Sequence, residues 1–423
     1  MSNYVFLIDS HKTPLNPVHP AQARKLLESG KAAVFRRYPF TLILKRVVEN
    51  PLIHPLTLKI DPGSKVTGIA LVTDRNEAIW AMELEHRGEA IKSALLQRRI
   101  VRRGRRNRKT RYRQARFLNR KRPNGWLAPS LQHRILTTST WVKRIQKFAP
   151  VGAIAQELVK FDTQALQNPE IQGTEYQQGT LFGYECREYL LAKWQRKCAY
   201  CGVKDVPLEI EHIQPKSRGG SHRISNLSLA CHQCNQQKGD QDIKDFLKNK
   251  PQVLNRILSQ AKTPLKDAAA VNSTRWGLFN VLKSFGLPLT TGTGGQTKFN
   301  SMRLNLPKAH WIDAACVGIV ETLKLVTSKI FQVKATGFGG RKRCQTDKFG
   351  YPIKHRPLRP IHGFSTGDIV RADVPKGKYK GTFTGRVCPM SHGYGEFVIN
   401  GKRRSIKLAY LTPIHQKDGY SYG

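Results

Sequence analysis

The chain has 423 residues, enough for two to four domains with real cores, and carries 72 Lys and Arg against 29 Asp and Glu, a formal charge of +43. Such a surface repels itself unless a polyanion neutralises it, and phosphate with counterion release is the usual neutraliser. The sequence gives no membrane alternative: there is no lipidation signal or spanning segment, and the run Val5-Phe6-Leu7-Ile8 is too short for a signal core and lacks a charged segment before it.

From the start, residues 1 to about 50 read as a small unit: a strand at 4–8, a Pro-rich turn Pro14-Leu15-Asn16-Pro17, a short helix over 21–29 ended by Gly30, and strands at 33–35 and 40–44. Residues 58–72 predict a β-hairpin that places Asp61 at the end of an apolar strand, just before Pro62-Gly63-Ser64. Over 98–122 the composition changes abruptly, with 14 Lys or Arg in 25 residues, no acid and only Gly104 as a breaker. Arg-rich sequence without breakers supports a long helix. That many like charges destabilise a bare helix, so the segment calls for a nucleic-acid partner.

A buried strand at 153–155 ends on Glu157. Residues 264–285 predict a helix, 290–297 a Gly/Thr loop, and 309–327 a further helix in which His310 and Asp313, three apart, share a face. Residues 337–360 are basic and rich in breakers. From Gly363 onward, short alternating runs such as 368–374 and 395–400 predict a small β-rich, barrel-like domain.

Four of the eight cysteines form two CxxC pairs, Cys198/Cys201 and Cys231/Cys234, separated by 29 residues. Four thiolates suit one closed tetrahedral zinc site. The remaining cysteines, Cys186, Cys316, Cys344 and Cys388, are scattered, which fits a reducing compartment better than a disulfide framework. Between and after the pairs lie Glu211-His212-Ile213, Pro215, Gly219-Gly220, Asn226-Leu227 and Asn235. Phosphodiester cleavage needs a base for water and a metal on the phosphate. A zinc finger without catalysis would need neither the Glu-His pair nor Asn235.

This pattern resembles the HNH, or ββα-metal, nuclease motif. The resemblance implies His212 as general base, Glu211 and Asn235 as magnesium ligands, and Asn226 as the residue orienting the loop that carries His212; many members have Asp at the position of Glu211. Asp61, Glu157, His310 and Asp313, on three separated segments, resemble the split RuvC-type plan of an RNase H-like fold, with Asp61, Glu157 and Asp313 as magnesium ligands.

The whole order is similar to the IscB family, transposon-associated RNA-guided nucleases related to the CRISPR type II effectors. Residues 14–32 resemble the Pro-Leu-Met-Pro signature that names the family's first domain, with Asn16 in place of Met.

The resemblance implies an α/β multidomain chain. Its order is an N-terminal domain 1–55, a first RuvC segment 56–85, an Arg-rich bridge helix 86–123, a second RuvC segment 124–185, an inserted zinc-bound HNH module 186–262, a third RuvC segment 263–335, and a basic C-terminal region 336–423 that binds RNA and reads a target-adjacent motif. It implies a guide RNA contacted by Arg102, Arg103, Arg105, Arg106, Arg108, Arg113 and Arg116, a double-stranded DNA target, magnesium, structural zinc, and a monomeric cytoplasmic ribonucleoprotein that is nucleoid-associated on target. HNH would cut the guide-paired strand and RuvC the displaced one. An unguided homing or junction-processing nuclease, and a nucleic-acid-binding protein with vestigial motifs, remain open on the sequence.

Overall fold

The computed structural model describes residues 2–107, 126–158, 187, 189–191, 193–262, 268–338, 345–349, 351–354, 360–399 and 402–423. At the N-terminus, β1 (Val5–Ile8), β2 (Pro14–Val18), β3 (Ala32–Arg36) and β4 (Thr41–Leu44) form a sheet of order β2-β1-β4-β3. Helix Pro20–Glu28 adds Ala23 to a core of Val5, Leu7, Leu15, Ala32, Leu42 and Leu44. Asn16, the departure from the signature, has a job of its own here. Its Nδ2 donates to the Leu52 carbonyl at 2.8 Å and its Oδ1 accepts from His54 N–H at 2.9 Å, tying the outgoing chain to the unit.

The chain then lays down an antiparallel meander, β5 (Leu56–Asp61), β6 (Val66–Val72) and β7 (Glu77–Glu85). Helix Gly88–Asn107 follows. It starts ten residues before the expected basic segment and exposes Arg102, Arg103 and Arg106. Arg105 lies on the same helix; Arg108, Arg113 and Arg116 fall outside the described residues. Helix Pro129–Gln146 leads to β8 (Val151–Glu157), which pairs parallel to β5.

The excursion that follows contains β9 (Leu208–His212) and β10 (Leu227–Cys231) in a separate two-stranded antiparallel sheet. Its own core includes Trp194, Leu208, Ile213, Leu227, Leu229 and Ile243. The chain returns through helix Ala268–Lys283 and adds β11 (Leu289–Gly292) parallel to β8. β12 (Lys324–Leu325) and β13 (Phe331–Ala335) pair parallel to β7. The resulting eight-stranded sheet runs β11-β8-β5-β6-β7-β13 and ends on strand Tyr420–Tyr422, with β12 also on β7.

Two expectations need correction. The Gly/Thr segment 290–297 is not a loop: β-branched threonines extend a strand through Gly292, and Thr293 then caps helix Gly294–Arg303 by accepting from the Gln296 N–H at 3.2 Å. The helix expected over 309–327 stops at Ala315, because the chain turns at Gly318 with φ of 82°.

After Gly363, two three-stranded sheets enclose Val370, Ala372, Val387, Phe397, Ile406 and Leu411, a β-rich unit as the alternation predicts. The last strand then leaves this unit and pairs antiparallel with β13. Tyr422 stacks on Tyr38 with ring centroids 4.3 Å apart. Asp418 holds this return: Arg144 Nη1 lies 2.8 Å and His415 Nε2 3.3 Å from its Oδ2, and the Tyr422 hydroxyl donates to the same oxygen.

Burial raises the Asp418 carboxyl, but the hydrogen bonds from His415 and Tyr422 and the Arg144 charge outweigh it, holding the group at about 2 against an ordinary 3.8. A depressed carboxyl contributes stability above its unfolded value and loses it as pH falls through the folded one. Asp418→Asn is therefore expected to cost about 2 kcal/mol at neutral pH, the difference shrinking between about pH 4 and pH 2. Urea unfolding of both proteins across pH checks this; a pH-independent difference would refute it.

Candidate metal centres

Asp61 ends β5 and His310 and Asp313 open helix His310–Ala315, which lies on β5 and β6. Their ligand atoms all fall within 4.8 Å of one another. Two features bring the helix to the strand. Asp61 pairs with Gly68 on β6, where a Cβ would sit 1.9 Å from the His310 carbonyl oxygen, so only glycine admits the helix start. At the other end, buried Lys59 reaches from β5 to donate to the carbonyls of Ala315 (3.1 Å) and Val317 (3.0 Å), capping the helix C-terminus with a cation. Burial lowers the Lys59 ammonium to about 8, the proximity of Cys316 partly opposing this. The Glu83 carboxylate accepts from the His310 N–H at 3.1 Å, fixing the helix entry.

Asp61 is pushed well above its ordinary value, by burial first, then by Glu157 and Asp313, with Arg275 opposing. Burial and then Glu157 likewise raise Asp313. Carboxyls crowded in this way relax when a cation joins them. Glu157 stands close enough to act on both but falls outside the clustered set; its Oε1 accepts from Arg275 Nη2 at 2.7 Å. The sequence-level expectation of Asp61, Glu157 and Asp313 as one ligand set thus meets a guanidinium, contributed by a helix far along the chain. Gly68→Ala is expected to push the helix off Asp61 and cut the rate of any strand cleavage that depends on Asp61 by about 100-fold. Wild-type rates in the variant would show that the close approach is dispensable.

In the inserted module, the four thiols of Cys198, Cys201, Cys231 and Cys234 have their sulfurs within 4.8 Å of one another. The first pair sits on a turn closed by Gly202 N–H to the Cys198 carbonyl at 3.0 Å; Cys231 ends β10 and Cys234 lies on helix His232–Lys238. Burial raises the Cys198 thiol, but backbone N–H donors of Cys201, Cys231 and Tyr200 outweigh it and hold it at about 7, whereas burial pushes the Cys201 and Cys234 thiols up. The two strands and this helix form a ββα unit. His212 ends β9, half-buried, its Nε2 3.4 Å from His222 Nδ1. Burial first, then His222, Lys216 and Lys238, lower its ordinary value, so the ring is neutral near pH 7 and able to accept a proton. Asn226 accepts from Gln214 N–H at 2.8 Å and donates to the carbonyls of Gln214 (3.0 Å) and Ser221 (2.9 Å), bracing the loop after His212.

Residues 5–179 match the family model described as RRXRR protein, and residues 198–241 match the model described as HNH endonuclease. The chain thus joins a segment similar to the RRXRR family to a segment similar to the HNH endonuclease family.

Among solved structures it is similar to Streptococcus thermophilus Cas9 in complex with the GGAA PAM, at 12% identity over 62% of this chain and 32% of that one, with a TM-score of 0.23. The type II-C Cas9 enzyme from Actinomyces naeslundii matches at 13% identity over 69% of this chain and 43% of that one, with a TM-score of 0.17. The chain therefore spans about a third of the length of the Streptococcus protein it matches. Among the curated proteins none matches it.

Within the HNH module, Glu211 is held by donors of the protein itself. Strand alternation turns it inward, opposite to His212. Its Oε1 pairs with Lys238 Nζ at 2.6 Å, and its Oε2 accepts from Ser228 Oγ at 3.1 Å and from the Tyr200 hydroxyl. Both oxygens are thus engaged by protein donors, and a metal on Glu211 would have to displace one of them. Asn235 donates to Glu209, which also accepts from His232 Nδ1 at 2.9 Å. Lys238, fully buried, also donates to the His212 carbonyl at 2.9 Å, so one ammonium joins the strand end that carries His212 to Glu211. Sequence reasoning missed Lys59, Glu83 and Arg275, charged residues in unremarkable local sequence whose roles come from partners far away in the chain.

Proposed function

We propose that this chain is an RNA-guided endonuclease: a guide pairs with one DNA strand, the HNH centre cuts that strand, and a second, RuvC-like centre at Asp61 cuts the displaced strand. The observation that carries this reading is the convergence of Asp61, His310 and Asp313, from opposite sides of the inserted module, into one set of donors within 4.8 Å. The strand order β7-β6-β5-β8-β11, antiparallel in its first three members and parallel in the last two, supports an RNase H-like domain interrupted by the HNH insert.

Two carboxylates and an imidazole are hard donors that suit magnesium or manganese. Four thiolates suit zinc. Bound at Asp61, a divalent cation would supply polarisation of the scissile phosphate and a more acidic attacking water. The protein's own share is position. Lys59, Glu83 and Gly68 fix the helix that presents His310 and Asp313, and β5 presents Asp61. In the HNH module, His212 takes the proton of the attacking water, while Asn226 and Lys238 hold its loop and carbonyl. Glu211 and Asn235 remain our proposed oxygen ligands there, with Lys238 and Glu209 as the partners they exchange on metal binding.

The exposed arginines of helix Gly88–Asn107, continuing the +43 charge of the chain, support RNA phosphate contact. No helix among the described residues is long and apolar enough to cross a membrane, and we place the protein in the cytoplasm as a monomeric ribonucleoprotein. The deciding experiment is sequencing of the nucleic acid that co-purifies with the full chain. RNA of defined length and sequence is expected. Nucleic-acid-free protein that still cuts a specific sequence would overturn guidance and favour the unguided reading.

A further inference from the structure

We propose that Arg275 is a positioning residue that keeps Glu157 out of the metal-ligand set until nucleic acid arrives, so that the Asp61 centre loads one divalent cation alone and a second only with a phosphate in place. The proposal rests on the reading of Asp61, His310 and Asp313 as a divalent-cation site.

Arg275 bridges the two strand ends that carry the acids. Its Nη2 is 2.7 Å from Glu157 Oε1, and its Nε donates to the carbonyl of Pro62, next to Asp61, at 3.3 Å. The backbone behind it is anchored, since Gln156 Nε2, from the residue before Glu157, donates to the Arg275 carbonyl at 2.9 Å. The same helix buries Leu278 and Leu282 in the main core. Both partners of the ion pair are largely shielded, with side-chain exposures of 12% for Arg275 and 9% for Glu157.

In such a site an unpaired carboxylate is costly, and the guanidinium offsets that cost without a metal. While the pair stands, Glu157 offers only its remaining lone pairs, and the nearby positive charge disfavours a second cation beside it. A phosphate diester at the cluster presents two non-bridging oxygens that a planar guanidinium can bind in bidentate fashion. Transfer of Arg275 from Glu157 to that phosphate frees the carboxylate at the moment a substrate is present. Free protein then carries an incomplete centre, which limits cutting of nucleic acid that is not seated.

The test counts Mn2+ held by the full chain, using equilibrium dialysis with electron paramagnetic resonance of the free ion. The Asp61→Asn protein is subtracted to remove ions bound elsewhere. Wild type is expected to show one Asp61-dependent Mn2+ alone and two with a single-stranded oligodeoxynucleotide bearing non-cleavable phosphorothioate linkages. Arg275→Gln, which keeps a donor but removes the charge, is expected to show two without DNA, the second lost in Arg275→Gln/Glu157→Gln. Two Asp61-dependent ions in DNA-free wild type would overturn the proposal, and that measurement needs no variant at Arg275 to fold. A single ion in folded Arg275→Gln would overturn it equally. If Asp61→Asn removes no Mn2+ from wild type under any condition, the underlying cation-site reading fails instead.

Discussion

Asp61→Asn is expected to abolish nicking of one DNA strand and leave the other intact, and His212→Ala to do the reverse. Asp61 is a buried carboxylate whose ordinary value is raised by burial and its acidic neighbours, a balance that only a cation sets right. Asparagine keeps the shape but loses the charge that holds the cation, at a cost of several kcal/mol of transition-state stabilisation, or about 1000-fold in rate. His212 has no part in that cluster; it lies on β9, in a module with its own core. Removing its imidazole takes away the proton acceptor, worth about 100- to 10,000-fold. The measurement is a cleavage assay on a duplex labelled separately on each strand, run with the RNA that the proposed guidance calls for and with both variants loaded equally. Loss of both nicks from either single change would mean that the two centres do not act independently.

Zinc removal is expected to have the second-largest effect, confined to the HNH side. The four cysteines connect a turn, the end of β10 and helix His232–Lys238, three pieces otherwise joined by a modest core and a few backbone bonds, such as Ala199 N–H to the Leu229 carbonyl at 2.7 Å. A structural zinc site of four thiolates contributes about 10–16 kcal/mol of binding free energy to folding, well beyond the core of so small a unit. Cys198→Ser or a zinc chelator should therefore unfold the module, erase the His212-dependent nick and expose the segment around 198–241 to protease. The Asp61-dependent nick should persist, because the central sheet shares no thiol with the module. Elemental analysis should find about one zinc per wild-type chain and none in the variant. Zinc-free protein that keeps both protease resistance and the His212-dependent nick would contradict this account.

Much of the architecture is written in local patterns. The hairpin around Asp61, the strand into Glu157 and the two CxxC turns each rest on features a few residues long: alternation, Pro-Gly punctuation, paired thiols. The return of Tyr420–Tyr422 to β13 is not legible in the same way, because it depends on Asp418 meeting Arg144 from a helix far upstream. The partners of the acids fail for a related reason. Nothing around Arg275 distinguishes it among 72 basic residues; its role comes from burial beside Glu157. The helix expected over 309–327 shows the limit of periodicity, since tertiary demand turns the chain at Gly318 despite an apolar pattern that continues.

The interleaving of the central sheet has an outcome during synthesis. Chains emerge from the ribosome N-terminus first, and domains fold as they become complete. Asp61 appears early, but its partners on helix His310–Ala315 emerge only after the whole HNH insert, and β13, which flanks β7, emerges later still. A nascent chain therefore cannot assemble the Asp61 pocket beside the messenger RNA it is being read from. The sheet's long-range pairings make assembly slow, and the Asp61 pocket waits at least until helix His310–Ala315 has emerged.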